Sequence, residues 1–196
     1  MRIRKSLLVL TAVMLPVASM ALLEGTAFAG KVTGTGNPTC SFGGSINFNP
    51  PLTQNGTPGV KKEVTTVSAS LGSCSGGTPA APASTVVVKP IKSKTAKGAN
   101  GATCSSFESA AGSAKVKVKI NWTGEKASKF SISGLHDAIN GSGEVGFTGS
   151  FSVGGSYGGA GHLGVYLTNA SSNAIATCSG SISSLQIDRS NSSGTL

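Results

Sequence analysis

The sequence predicts an all-β domain: an antiparallel β-sandwich of about eight to ten short strands with two disulfides, and a β-barrel as the alternative. Three observations carry this expectation. Apolar residues recur with a period of two, and amphipathic helical spacing is hard to find. Clusters rich in Gly, Ser and Thr separate the alternating runs, and the chain holds 28 glycines. Four cysteines lie far apart, Cys40, Cys74, Cys104 and Cys178, with a closest spacing of 30 residues.

Taken in chain order, Phe42, Ile46 and Phe48 alternate up to Pro50-Pro51, where a strand is expected to end or lie on an edge. Val67, Ala69 and Leu71 mark the next strand. The clearest run is Lys115-Val-Lys-Val-Lys-Ile-Asn-Trp122. There Val116, Val118, Ile120 and Trp122 face one way, and Lys115, Lys117 and Lys119 face the other, as in a half-buried strand. Phe130 with Ile132 comes next, then Val145, Phe147, Gly149, Phe151 and Val153, then Leu163, Val165 and Leu167, then Leu185 with Ile187. Turn clusters fall at Gln54–Gly59, Ser75–Pro82, Ala96–Thr103 and Ala138–Gly143. The Gly76–Ser84 stretch reads as a loop within one domain, because strand-like sequence lies on both sides. The expected core includes Phe48, Val118, Ile120, Trp122, Phe147, Phe151 and Val165.

An even number of cysteines in an exported chain argues for disulfides, and their wide spacing argues against a metal site. Cys40 and Cys74 are symmetric about Thr57, the centre of the Gln54–Gly59 turn. A hairpin through that turn would set them face to face, leaving Cys104 to pair with Cys178. Simple pairing from Thr57 puts Thr66 and Ser68, not Val67 and Ala69, on the face of Ile46 and Phe48. A bulge at Gly72 would correct the register, since one extra residue reverses the facing.

Residues 1–29 have the parts of a cleavable secretory signal: Arg2, Arg4 and Lys5, an apolar stretch from Leu7 to Leu23, and Ala27-Phe28-Ala29 before Gly30. Pro16, Ser19 and Glu24 interrupt that stretch, no stop-transfer cluster follows, and Gly30, not a cysteine that could carry a lipid, stands directly after the cleavage site. Residues 30–196 are therefore expected to be a single secreted domain with no transmembrane segment. The whole chain has 16 basic and 7 acidic residues. Setting aside the leader's three basic residues and Glu24 leaves 13 and 6, a net charge near +7.

The stretches Cys40–Leu52, Leu71–Gly76, Cys104–Ser106, Val118–Trp122, Gly149–Ala160 and Cys178 with Ser184–Ile187 resemble a family of small secreted actinobacterial β-sandwich proteins. The resemblance covers nearly the whole exported part. It implies a β-sandwich and an extracellular location, and it brings no catalytic or ligand-binding residues with it.

Several motifs match catalytic patterns only formally. Gly154-Gly-Ser-Tyr-Gly158 fits the G-x-S-x-G nucleophile elbow, but Gly159–Leu167 reads as turn and strand, where the motif needs a helix. Gly141–Gly146 fits the dinucleotide fingerprint, yet Phe147–Phe151 behind it reads as a strand too, so the match is a turn. His136 and His162 have no ligand cluster beside them, and the six acids of residues 30–196 are scattered. The five N-x-S/T sites arise by chance in a chain this rich in Ser and Thr. No cofactor or metal is implied.

Lysine is the one concentrated feature. Lys89, Lys92, Lys94 and Lys97 crowd one stretch, and Lys115, Lys117 and Lys119 line a strand face. Lysine protects strand edges as a matter of routine. The same residues also suit an anionic partner such as a cell-wall polymer or an acidic surface. No aromatic residues alternate with them to stack bases, so no nucleic-acid motif is present. The expectation is thus a non-enzymatic extracellular or envelope-associated binding module. A secreted hydrolase around Ser156, His136 and His162 is one alternative, and a small-ligand carrier with a hollow apolar interior is the other.

Overall fold

The computed structural model describes residues 31–82, 84–94, 98–110 and 115–196, without the side chains of 108–110. The expected leader, residues 1–29, lies outside the described residues, as does Lys97. The fold is all-β and antiparallel. Its strands are β1 (Thr39–Leu52), β2 (Lys62–Ser75), β3 (Ser84–Val88), β4 (Ile91–Lys94), β5 (Lys115–Trp122), β6 (Ser128–Ser133), β7 (His136–Ile139), β8 (Val145–Gly154), β9 (Gly159–Tyr166), β10 (Ile182–Ile187) and β11 (Ser193–Thr195). Among the described residues two short helices complete it, α1 (Cys104–Ala110) and α2 (Asn169–Thr177).

Nine strands form one path in the order β3-β5-β6-β8-β9-β11-β1-β2-β4, with β10 added to β1 and β7 to β8. The two ends of the path, β3 and β4, are consecutive in the chain and separated only by Lys89-Pro90. The sheet therefore curls to bring its two ends near each other without pairing them, and it forms a half-barrel. Cα atoms of β2 and β3 come within 8 Å of each other. The curl lets Leu71 and Cys74 of β2 pack on Ile120, Trp122, Phe130 and Phe151 from the far part of the path.

The β1–β2 hairpin has the bulge its sequence requires. Cys40 faces Cys74, but Phe42 faces Leu71, so Gly72 and Ser73 together oppose Ser41. Beyond the bulge Ile46 pairs with Val67 and Phe48 with Thr65, which returns the apolar residues to one face. A Cβ at Gly72 would lie 2.2 Å from the Ser41 hydroxyl oxygen, so the tight pairing suits glycine there. Of the two expectations for Pro50 and Pro51, an end or an edge, the first does not hold, and they lie where neither neighbouring ladder pairs them. The strand runs through them to Leu52 while the β10 ladder skips from Asn47–Ser184 to Leu52–Ile182, a gap that removes the need for their missing N–H groups.

The disulfides are Cys40–Cys74 and Cys104–Cys178. The first closes the open end of the β1–β2 hairpin, as the symmetry about Thr57 requires. The second joins α1 to the residue that ends α2, where Cys178 adopts left-handed backbone angles (φ 45°, ψ 38°). Neither helix is announced by the sequence. In α1, Thr103 Oγ1 accepts from Ser106 N–H (3.0 Å) and Ser106 Oγ accepts from Thr103 N–H (2.7 Å), a reciprocal cap built without Glu or Gln. In α2 the buried face is Ser171, Ser172 and Ile175. Ser171 Oγ accepts from Gln186 N–H (2.7 Å) and Ser172 Oγ from Val145 N–H (3.0 Å), so serines dock this helix where an apolar stripe would be usual.

The apolar side chains gather into two clusters. One holds Ile120, Trp122, Phe130, Ile132, Phe151, Tyr157 and Leu196, with Val118 half-buried against it. The other holds Ile46, Phe48, Leu167, Ile175, Leu185 and Ile187, with Val165 half-buried against it. Of the expected core, Phe48, Ile120, Trp122, Phe147 and Phe151 are buried, whereas Val118 and Val165 are only partly so. The polar C-terminal residues also belong to the fold. Strand β11 sits between β1 and β9, and Leu196 is fully buried, its N–H donating to Pro38 C=O (3.0 Å).

Candidate functional site

A cavity of about 1030 Å³ opens inside the curl, where the two clusters fail to meet. Its wall is made by Ile46 and Phe48 of β1, Val67 of β2, Ile91 of β4, Phe107 of α1 and Phe147 of β8. Phe107 is wedged between two of these rings, with centroids 5.1 Å from Phe48 and 5.5 Å from Phe147, both edge to face. Helix α1 is thus one wall of the cavity, and the Cys104–Cys178 disulfide holds it there.

The opening follows from the topology. β3 pairs with β5 from Val118 to Trp122, and Lys89 N–H still reaches Lys117 C=O (3.0 Å). Pro90 then has no N–H to offer, and β4 leaves to pair with Lys62–Thr65 of β2. Among the described residues, no strand pairs with the outer edge of β4 or with the adjacent edge of β5 at Lys115 and Val116. The wedge between those edges is where the cavity meets solvent. Exposed Lys89, Lys92, Lys115 and Lys117 line it there.

Among the described side chains one carboxylate, Glu63, lines the cavity with those four lysines, and both its oxygens are engaged. Oε1 accepts from the Ala102 N–H and Oε2 from Ser93 Oγ (3.1 Å), which pins the loop before α1 to β4. Among the described side chains, the cavity therefore has an apolar interior and a mouth with a formal excess of three positive charges.

The structure divides the sequence-predicted lysines. Lys89, Lys92, Lys115 and Lys117 gather at the cavity. Lys94 lies opposite Lys62, and Lys119 opposite Lys129, as exposed like-charge pairs away from it. The three residues of the hydrolase alternative are not brought together. Ser156 is fully buried and its Oγ accepts from Gly34 N–H (3.0 Å). His136 and His162 are exposed on β7 and β9, on either side of β8, and His162 Nδ1 lies 3.4 Å from Ser150 Oγ. Among the described residues no group of three or more His, Cys, Asp or Glu side chains could hold a metal ion.

A second polar feature lies in the other cluster. The Tyr157 hydroxyl is 3.0 Å from both Glu125 Oε1 and Pro79 C=O, and its single proton serves one of them at a time. Glu125 Oε2 is buried without a hydrogen-bond partner among the described residues. Burial, reinforced by the hydrogen bond to Glu125 and its charge, pushes the Tyr157 phenol up to about 12 from 10.0. The folded state thus holds this proton more tightly than the unfolded chain. The resulting stability is complete below pH 10 and is lost as pH rises through about 12. Alkaline titration of unfolding is expected to show this loss, and Tyr157→Phe to show a shallower one; identical pH profiles would contradict the assignment.

No protein-family model, curated protein or solved structure matches this chain. The site is therefore defined by its own geometry and chemistry.

Proposed function

We propose that the protein is an extracellular, non-enzymatic binding protein that holds an apolar small molecule in the half-barrel cavity. One observation carries this: an open cavity of about 1030 Å³, walled by aromatic and aliphatic side chains. Small-molecule sites usually span roughly 300–1,000 Å³ and are lined in this way. Of the expectations raised by the sequence, the ligand carrier is the one that needs such an interior. The test is titration with phenylnaphthylamine, a neutral dye that brightens in apolar surroundings. Saturable one-to-one binding is expected. Thr65→Trp should abolish it, because Thr65 lines the cavity opposite Phe48 and tryptophan suits a strand. Equal binding by the wild type and a folded Thr65→Trp variant would place the dye elsewhere.

The location outside the cell is part of the same proposal. Two disulfides are consistent with it, and among the described residues no helix is long and apolar enough to cross a membrane. Cleavage after Ala29 is expected, so N-terminal sequencing of the exported protein should begin at Gly30. A second reading, attachment to an anionic cell-wall polymer, is favoured by exposed Lys119 and Lys129 opposite one another on the outer face. It predicts retention on cell-wall preparations that falls with salt and with Lys115, Lys117 and Lys119 changed to Gln.

A further inference from the structure

We infer that the ligand is a single-chain anionic amphiphile, a long-chain carboxylate whose hydrocarbon lies in the cavity and whose head sits at the mouth among Lys89, Lys92, Lys115 and Lys117. This rests on the reading of the cavity as a ligand site. The wall changes character along its depth. Phe48, Phe107 and Phe147 lie inside, and exposed lysines ring the opening.

Several polar groups of the wall are already engaged within the protein. Glu63 accepts from Ala102 and Ser93, and Thr103 and Ser106 cap α1 reciprocally. A ligand's inner part gains nothing from polar atoms it would have to strip of water, so it is hydrocarbon. At the mouth the balance reverses. Among the described side chains, four ammonium groups against one engaged carboxylate leave a field that attracts an anion and repels a cation. A carboxylate there accepts charge-assisted hydrogen bonds, which are about twice as strong as neutral ones.

The same chemistry exists in membrane lipids, but the surface does not suit a bilayer. Among the described residues, the large exposed apolar side chains Val32, Val87 and Ile139 fall before β1, in β3 and in β7, and the lysines surround an opening. The occupant is one dissolved molecule.

The experiment compares three probes with the same chain and different heads, dodecanoate, dodecanol and dodecyltrimethylammonium, each below its micelle concentration. Binding is measured calorimetrically at low salt and mildly alkaline pH. The proteins are the wild type, Thr65→Trp, and the combined Lys92→Gln, Lys115→Gln and Lys117→Gln variant. These lysines are exposed, so the variant should fold, and circular dichroism checks it. Dodecanoate is expected to bind about tenfold tighter than dodecanol, and the ammonium most weakly. The advantage of the acid should shrink with added salt and collapse in the lysine variant.

Dodecanol binding as tightly as dodecanoate, with both lost in Thr65→Trp, would overturn the head-group assignment and leave the cavity reading standing. No binding of any probe would overturn both. Capture by anionic vesicles without binding of monomeric dodecanoate would make the lysines a membrane contact and overturn the inference.

Discussion

Replacing Trp122 by alanine is expected to lower the stability of the domain by about 3–5 kcal/mol, the range for truncating a large buried aromatic residue. The indole is 3 % exposed at the end of β5 and meets the Tyr157 ring edge to face at 5.0 Å. Its Nε1 donates to Ser128 Oγ (2.7 Å), and Ser128 Oγ in turn donates to Ser156 C=O. Truncation would leave a void beside the Tyr157–Glu125 network and take the indole donor from a fully buried hydroxyl. Urea unfolding monitored by circular dichroism measures the loss. A value below about 1 kcal/mol would place Trp122 outside the packed core.

Removing the Cys104–Cys178 disulfide, with both cysteines changed to serine, is expected to cost about 4 kcal/mol for a loop of 74 residues. It should also weaken binding of the neutral dye by at least about tenfold, a larger effect on binding than the same change at Cys40 and Cys74. The reason is the place of α1. A helix of 7 residues does not persist on its own, so it relies on its cap, on Phe107 between Phe48 and Phe147, and on the covalent tie to α2. The Cys40–Cys74 bond instead sits in the Trp122 cluster, and its loss should reduce stability by a similar amount while sparing the cavity wall. Comparable losses of dye affinity in the two variants would remove α1 from the site.

Much of the fold is legible in the sequence because period-two alternation reports which face is buried. The run from Lys115 to Trp122 forms β5 with the same bounds, and the register conflict between Ile46 and Val67 points to the bulge at Gly72. The helices are not legible, because α2 buries Ser171 and Ser172 where an apolar stripe would have announced it. Strand β11 is Ser-Gly-Thr and has no alternation to show; it is held between β1 and β9 by backbone pairing.

The candidate site is legible only in part. Alternation places Lys115 and Lys117 on the solvent side of β5, but it cannot say that the neighbouring strand departs at Pro90 and leaves those lysines beside an opening. Ile46, Phe48 and Val67 look like ordinary core residues in sequence. The cavity exists because the two apolar clusters, in a chain with only 5 % aromatic residues, do not meet across the interior. That is a property of the curl and has no local signature.

The most direct test of a ligand cavity is a map of backbone amide chemical-shift changes on adding dodecanoate to the isotopically labelled exported protein. The changes should concentrate at Phe48, Val67, Ile91, Ala102, Phe107 and Val116, which line the cavity from five different elements and one loop. The Trp122, Ser128 and Tyr157 region should stay quiet. Changes confined to the outer face around Lys119 and Lys129, or no change at saturating dodecanoate, would contradict the account.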